Sequence, residues 1–437
     1  MNLSHPINAQ IEITENCNHN CFYCYNSWQV NKVKKAYMNI KTSNSIISKI
    51  CEDIKPFFIT ITGGEPFLNM SVLKNFISKI PLNMSIGINT NLTHTTPENL
   101  ETLLGLNNTF GLLASLPHFE KEKYEFITKS KDINDFYTNL LNIKENTNIP
   151  ITINMVISKY NLNSIYDQGK FLFEKFSIDS FAATPVSNPP LEYQKEYDYT
   201  LAEEDITLVF NQLIKLNKEF GIKIDSIQTI PLCFIPEEIR INNFNLFKRP
   251  CNTGKSTLAI DYKGNVRSCI QSPYNIGNIL ESDFEALWRD FEDFRQNKNL
   301  PEDCIECDAL VLCNGGCRFN GYNLGEPLNR KDPRMKEKIK LDIKKVVQKE
   351  AGFNNKYILN KSTKYRKETE EFYTFINSDY NLLFVNENFK NFIVKLEGLG
   401  SFNPKILLKH YSDNNVKDKL KKLFDKLISK NFLKPYV

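Results

Sequence analysis

The chain has 437 residues, enough for about three domains at roughly 150 residues each. Its 55 Lys and Arg against 51 Asp and Glu leave a formal charge of +4, too small a surplus for a protein held to nucleic acid by overall charge, while 41% hydrophobic and 24% charged residues give the balance of a soluble globular chain. The 11 cysteines are odd in number and sit in a chain too long to need disulfide staples, which points to metal or redox chemistry inside a cell.

Residues 1–10 lack a cationic start followed by an apolar run. No segment approaches the ~20 apolar residues of a membrane span. A cytoplasmic protein without a membrane partner is expected. From residue 8 to about 245, short apolar runs alternate with helical patterns. Residues 9–13, 57–62, 84–89, 110–115, 151–157 and 180–184 read as strands, and 43–54, 70–80, 164–176 and 202–220 as helices. Such alternation builds a parallel sheet with crossover helices. Six units predict an α/β fold, a partial (β/α)6 barrel of TIM type over residues 1–248, with ligands at the C-terminal strand ends.

Residues 249–330 break the pattern. Gly, Pro and six cysteines dominate, and a loop-rich segment with few apolar residues draws its stability from metal. Asp332 and Pro333 read as the N-cap and first turn of a connecting helix over 331–354, with Met335, Ile339, Ile343 and Val346 on one face and Gly352 at its end. Residues 355–437 form a last unit. There 372–376 and 382–385 read as a hairpin. Phe389, Phe392, Ile393 and Leu396 mark a helix, Asn403 and Pro404 start a second, and Val416, Leu420, Leu423, Phe424 and Leu427 stripe a third. Residues 432–437 read as a returning strand. This is the order of a small winged-helix-like domain. Asp418 and Asp425 interrupt the lysines of the last helix, which is read as a solvated face with no nucleic-acid partner.

Cys17, Cys21 and Cys24 are spaced C-x3-C-x2-C directly after the first strand. Three thiolates on a tight loop can hold three irons of a cubane. The fourth iron is left open, which marks catalysis rather than structure. The alternative is a zinc site with His19 as fourth ligand. Gly63, Gly64, Glu65 and Pro66 follow the second strand. Glycines let backbone approach a ligand, and a carboxylate beside them can accept hydrogen bonds from an ammonium.

With these two motifs the chain resembles the radical S-adenosylmethionine (radical SAM) superfamily over roughly half its length. The resemblance implies a [4Fe-4S] cluster on Cys17, Cys21 and Cys24 whose open iron is chelated by S-adenosyl-L-methionine. One electron then cleaves the sulfonium to a 5′-deoxyadenosyl radical, which removes hydrogen from an unactivated carbon. It further implies Tyr23 beside the adenine and Gly63, Gly64 and Glu65 at the methionine ammonium. Asn89 and Asn91 would line the cofactor, and Ser115 would lie at its carboxylate end. An electron donor such as flavodoxin or ferredoxin is implied as a partner. Residues 155–161 resemble the fifth-strand region of the same subgroup. The resemblance singles out no catalytic side chain.

The spacing Cys304-x2-Cys307-x5-Cys313-x3-Cys317, with Cys251 and Cys269 upstream, resembles the SPASM extension of these enzymes, which carries one or two auxiliary iron–sulfur clusters. The family's chain crossing implies Cys251, Cys269 and Cys317 at one cluster and Cys304, Cys307 and Cys313 at the other. No cysteine follows Cys317, so each group has three. Asp308 and Asp332 are candidates for a fourth ligand, as are water or a substrate thiolate, and a zinc knuckle is the alternative. Cys51 and Cys233 read as inert buried cysteines, although Cys233 lies only 18 residues before Cys251. His5, His94, His118 and His410 read as surface or packing residues.

The C-terminal unit resembles the leader-peptide recognition element of many ribosomal-peptide maturases, which add the peptide as a strand to an open sheet edge. Together these resemblances imply a maturase that modifies a precursor peptide with a leader sequence by oxidative crosslinking, thioether or C–C. The alternatives are a formylglycine-forming maturase, a peptide epimerase and a non-catalytic iron–sulfur electron-transfer protein. The formylglycine subgroup carries Asp after the second SPASM cysteine, where this chain has Ile270.

Overall fold

The strand β1 (Asn8–Glu12) starts a sheet whose two faces differ in chemistry. Parallel to it run β2 (Phe58–Thr62), β3 (Ser85–Thr90), β4 (Thr109–Ser115), β5 (Ile151–Ile157), β6 (Ser180–Pro185) and β7 (Lys223–Asp225), side by side in chain order. The computed structural model describes residues 3–26, 37–104, 109–189, 197–199, 201–243, 246, 249–340, 353–378 and 381–436. Two units separate, Ser4–Leu341 and Asp342–Val437.

Side chains alternate across a strand with period two. One face carries Ile11, Ile59, Ile61, Ile86, Ile88, Ala114, Ile153 and Met155, all buried. The apolar stripes of the crossover helices supply its cover: Ile46 and Ile47 from α1 (Ile40–Lys49), Val72, Leu73 and Phe76 from α2 (Met70–Lys79), and further helices described below. The other face is polar: Glu12, Thr62, Asn89, Ser115, Asn154 and Thr184 succeed one another along the C-terminal ends of the strands. An apolar face under helices and a polar face opposite make the parallel α/β frame of a partial barrel.

Helices α3 (Pro97–Leu104), α4 (Lys121–Thr128) and α5 (Ile133–Asn146) were not marked by the pattern. The first two have eight residues each. α5 carries Asn134, Asn139, Asn142 and Asn146, weak helix formers, and burial of Phe136, Leu140 and Ile143 holds it. The expected α6 (Ile165–Phe176) and α7 (Glu203–Phe220) follow. The sheet also exceeds six strands. β7 has three residues, too few to show a period. On the other side of β1, β8 (Thr257–Ile260) pairs in parallel, followed by antiparallel β9 (Asn265–Arg267) and β10 (Gly277–Asn278). The cysteine-rich segment is therefore continuous with the barrel sheet.

Residues 331–340 contain no helix. The reason is the expected N-cap: the Asp332 carboxylate accepts hydrogen bonds from the Cys317 and Arg334 backbone N–H groups, from the Asn320 amide and from the Arg334 guanidinium, so it braces the cysteine loop instead. The rest of that expected helix, with Ile343, Val346 and Gly352, lies outside the described residues.

In the second unit β11 (Tyr357–Leu359) lies between β15 (Ser401–Phe402) and β16 (Leu433–Pro435), and β12 (Lys364–Lys367), β13 (Phe372–Ile376) and β14 (Leu382–Asn386) form an antiparallel meander. The hairpin, three helices and final strand stand in the expected order, and β11, β12 and β15 are additions. Asn386, Asn403 and Asp413 cap the helices Glu387–Gly398, Pro404–Lys409 and Asn414–Ser429 with their side chains. Phe375, Leu383, Ile393, Phe424, Leu427 and Phe432 fill the core.

Candidate functional site

The three cysteines sit in the loop leaving β1, and that loop is docked on the turn leaving β2. The backbone N–H of Gly64 donates to the Thr14 carbonyl at 2.8 Å and that of Glu65 to the Asn16 carbonyl at 2.7 Å. A Cβ at Gly63, whose φ is +139°, would overlap the Thr14 carbonyl oxygen, and one at Gly64 would overlap that of Asn16. The two glycines therefore admit the cysteine loop itself, a role beyond the ligand contact expected of them.

Glu65 is buried, and its carboxylate accepts from Phe67 N at 3.1 Å, Thr90 Oγ1 at 2.7 Å and Asn91 N at 2.6 Å. Burial raises its pKa and these three donors oppose the rise. A carboxylate offers about four lone-pair positions, so about one remains for an external ammonium. Glu65 thereby ties the β2 turn to the end of β3. Asn91 extends the link: its amide donates to Asn18 Oδ1 at 2.8 Å and reaches Cys17 Sγ at 3.9 Å. Asn89 and Ser115 stand half-buried on the polar face at the ends of β3 and β4.

Behind the loop lies a network the sequence did not announce. His19 Nε2 meets the Asp132 carboxylate at 3.0 and 3.1 Å. Tyr124 OH donates to Asp132 at 2.8 Å, and Asn18 Nδ2 donates to it at 2.9 Å. The Nε2 of His19, the residue inside the cysteine motif, is therefore engaged with the Asp132 carboxylate. The only sequence signal was its place inside the cysteine motif, since Asp132 is 113 residues away. A second unannounced feature is aromatic. Phe22 stacks on Tyr197 at 4.5 Å and packs edge-on to Tyr160 at 5.2 Å, and its carbonyl accepts from Tyr199 OH. Tyr23 is buried against Phe22, and its hydroxyl donates to the Cys21 sulfur.

The donor set fits a polynuclear metal centre. Burial, then the neighbouring Cys17 and Cys24 thiols, push the Cys21 pKa well up. Such a trio is deprotonated when metal cations share its charge. Downstream, the chain brings Cys251, Cys269 and Cys317 together. Burial and Cys251 push Cys269 up to about 11, and burial, Cys251, Asp332 and Cys269 push Cys317 up to about 12. Cys304, Cys307 and Cys313 form another group, in which burial pushes Cys304 up to about 12 and Cys313 upward as well. Among the described residues no three His, Cys, Asp or Glu side chains converge closely enough to grip one bare ion. A cube in which each cysteine takes its own iron asks for wider spacing.

Asp332 is buried and its carboxylate is already taken up by donors from Cys317, Asn320 and Arg334, whereas Asp308 is exposed. Three links, the first of them buried, tie these thiols to the barrel. Arg267, two residues before Cys269, pairs with Glu12 of β1 and donates to the Ile270 and Ser272 carbonyls. Asn188, past β6, donates from its backbone to Asn320 Oδ1 at 2.8 Å, and Gln271 Nε2 donates to Ser187 at 3.0 Å.

Residues 11–167 match the family model of the radical SAM superfamily, and residues 251–308 match SPASM, an iron–sulfur cluster-binding domain. The chain is 22% identical over 334 residues to an AdoMet-dependent heme synthase of Methanosarcina barkeri, covering 71% of this chain and 90% of that one. It is 24% identical over 333 residues to the radical SAM cyclopropyl synthase TigE of Paramaledivibacter caminithermalis, covering 70% and 67%. Among solved structures, Streptococcus suis SuiB bound to S-adenosylmethionine superimposes with a TM-score of 0.62 at 18% identity, over 76% of this chain and 77% of that one. The same protein bound to precursor peptide SuiA gives 0.61. No helix among the described residues is long and apolar enough to cross a membrane. With its cysteine loop locked onto the Gly63–Glu65 turn and its auxiliary cysteines wired to the same sheet, the chain carries a radical SAM domain over residues 11–167 and an iron–sulfur cluster-binding SPASM domain over residues 251–308, the parts of an iron–sulfur, S-adenosylmethionine-dependent enzyme.

Proposed function

We propose that the enzyme is a peptide maturase acting on a ribosomally made precursor with a leader, and that it forms an oxidative crosslink, thioether or C–C. The observation that carries the radical chemistry is the docking of the Cys17–Cys24 loop on the Gly63–Glu65 turn at the C-terminal ends of the strands. In this reading Cys17, Cys21 and Cys24 hold the first cluster, while Tyr23, Gly63, Gly64, Glu65, Asn89, Asn91 and Ser115 line the S-adenosylmethionine site. Cys251, Cys269 and Cys317 serve one auxiliary cluster, and Cys304, Cys307 and Cys313 the other. When bound, these groups supply one-electron chemistry: reductive cleavage of the sulfonium, hydrogen abstraction from carbon, and an acceptor for the electron the substrate gives up.

The chain's own residues do the rest. The Asn91 amide and the Tyr23 hydroxyl place donors at the sulfurs of Cys17 and Cys21, where thiolate charge gathers. The Phe22 ring of the loop is held between the Tyr160 and Tyr197 rings, which fixes its orientation beside the cysteines. In the second unit, β12 and β14 are the outer strands of a three-stranded sheet, and an outer strand offers unpaired backbone groups that a leader can complete. Tethering there raises the concentration of the core peptide at the active site. Support for a peptide comes also from the SuiB structure holding precursor peptide SuiA. The domain limits follow as 1–248, 249–330, 331–354 and 355–437, in an intracellular setting with a flavodoxin or ferredoxin as electron donor.

The test is incubation of the reconstituted enzyme with a short precursor encoded beside it, followed by mass spectrometry. Loss of two hydrogens from the core peptide is expected. An unchanged mass with an inverted residue overturns the crosslink.

A further inference from the structure

We propose that Cys233 is the fourth protein ligand of the auxiliary cluster held by Cys304, Cys307 and Cys313, supplied from upstream of the SPASM segment. The proposal rests on the reading of those three as cluster ligands.

The three-residue turn Leu232–Phe234 is wedged against this group. On one side, the Leu232 backbone N–H donates to Cys313 Sγ at 3.3 Å. The Pro231 ring fills the space where Gly316 would carry a Cβ, 2.7 Å away. On the other side, the Lys336 backbone N–H donates to Cys233 Sγ at 3.3 Å, and three residues later the Ile339 carbonyl meets Cys307 Sγ at 3.9 Å. A single segment, 336–339, thus touches both Cys233 and Cys307, while the residue next to Cys233 touches Cys313. Gly315 closes the circle: a Cβ there would stand 3.4 Å from Cys304 Sγ. Asn314, Gly315 and Gly316 all have positive φ, +52°, +73° and +70°, and this turn aims the Gly315 and Gly316 N–H groups at Cys313.

Electrostatics agree with that placement. Cys233 stands in the field of Cys313 and Cys307, and Cys304 in the field of Cys313, Cys233 and Cys307. Backbone N–H donors on cluster sulfurs are the contacts that tune such centres, and Cys313 and Cys233 both have them. Cys51 has no such company: the charged neighbour acting on it is Glu52. With four cysteines assigned to this cluster, the group with an open coordination position is Cys251, Cys269 and Cys317, and a substrate thiolate would bind there.

The test is anaerobic reconstitution of the full chain as wild type, Cys233→Ala, Cys233→Ser, Cys304→Ala and Cys51→Ala, with iron and sulfide analysis and electron paramagnetic resonance of the reduced protein. Cys233→Ala and Cys304→Ala are expected each to lose up to about four irons per chain. Cys233→Ser, which keeps a ligating oxygen, is expected to retain more iron with a shifted spectrum, and Cys51→Ala to match wild type. Wild-type iron and spectrum in Cys233→Ala, with iron lost from Cys304→Ala, overturns the Cys233 assignment alone. Wild-type iron in both overturns the auxiliary-cluster reading and the proposal with it. A second measurement needs no variant. In the wild-type holoprotein Cys233 should resist alkylation, mapped by mass spectrometry, and become labelled when iron is chelated away, whereas Cys51 should label equally before and after. Equal labelling of Cys233 in both states refutes ligation.

Discussion

Glu65 offers the sharpest test of how the site is held together. In Glu65→Ala, the N–H groups of Phe67 and Asn91 and the hydroxyl of Thr90 lose their acceptor. Thr90 Oγ1 is itself fixed, because it accepts from Leu92 N at 2.9 Å. A buried donor left unsatisfied costs about 1–3 kcal/mol, so the two backbone groups alone cost about 2–6 kcal/mol. That is a large fraction of a total stability of about 5–15 kcal/mol. Glu65→Gln keeps the shape. With its amide oxygen toward Phe67 and Thr90, its NH2 faces the Asn91 N–H, and one bond is lost at about 1–3 kcal/mol. The expected order of urea midpoints for the first unfolding transition is wild type, then Gln, then Ala, at unchanged slope. Because the same carboxylate ties the turn that carries Gly64 to Asn91 beside Cys17, release of 5′-deoxyadenosine should fall in the same order. An alanine variant with the wild-type midpoint and cleavage rate refutes the argument that Glu65 holds the cysteine loop in register.

Three further outcomes follow from the same geometry. Replacing Cys17, Cys21 and Cys24 together with Ala should abolish 5′-deoxyadenosine release and remove about four irons, read by chromatography and iron assay. His118 is buried; its Nδ1 accepts from Glu120 N at 2.9 Å and its Nε2 faces Ser164 Oγ at 3.0 Å, and burial and then Lys123 lower its pKa to about 4. Unfolded His titrates near ~6.5, so the unfolded chain binds more protons between these values. This contribution to stability is full above ~6.5 and is lost as the pH falls towards 4. The urea midpoint of wild type should drop across that window more than that of His118→Gln. Deletion of residues 355–437 should weaken precursor binding, read by titration of a labelled leader, while cofactor cleavage without peptide persists. Equal leader affinity in the truncated chain would refute the recognition role.

The cysteine spacings and the Gly-Gly-Glu-Pro turn were legible in the amino-acid sequence because they are local: a tight loop needs its ligands at short, regular intervals, and a period of two or 3.6 shows within one element. For the same reason the six main strands and the stripes of the C-terminal helices could be read in advance, whereas β7, three residues long, and the Asn-rich α5 could not. Tertiary structure alone decided the partnerships across long separations. Gly63 and Gly64 are needed by the Thr14 and Asn16 carbonyls, about 50 residues away in the chain. Asp332 looked like a helix cap from its neighbour Pro333, but the folded chain presents it with the donors of Cys317, Asn320 and Arg334, and a buried carboxylate goes where its charge is best solvated. Likewise nothing near Cys233 distinguishes it from an inert thiol; its meaning comes from Leu232 on Cys313 and Lys336 on its own sulfur. Sequence spacing reports which atoms a short loop can gather, and only folding reports which loops meet.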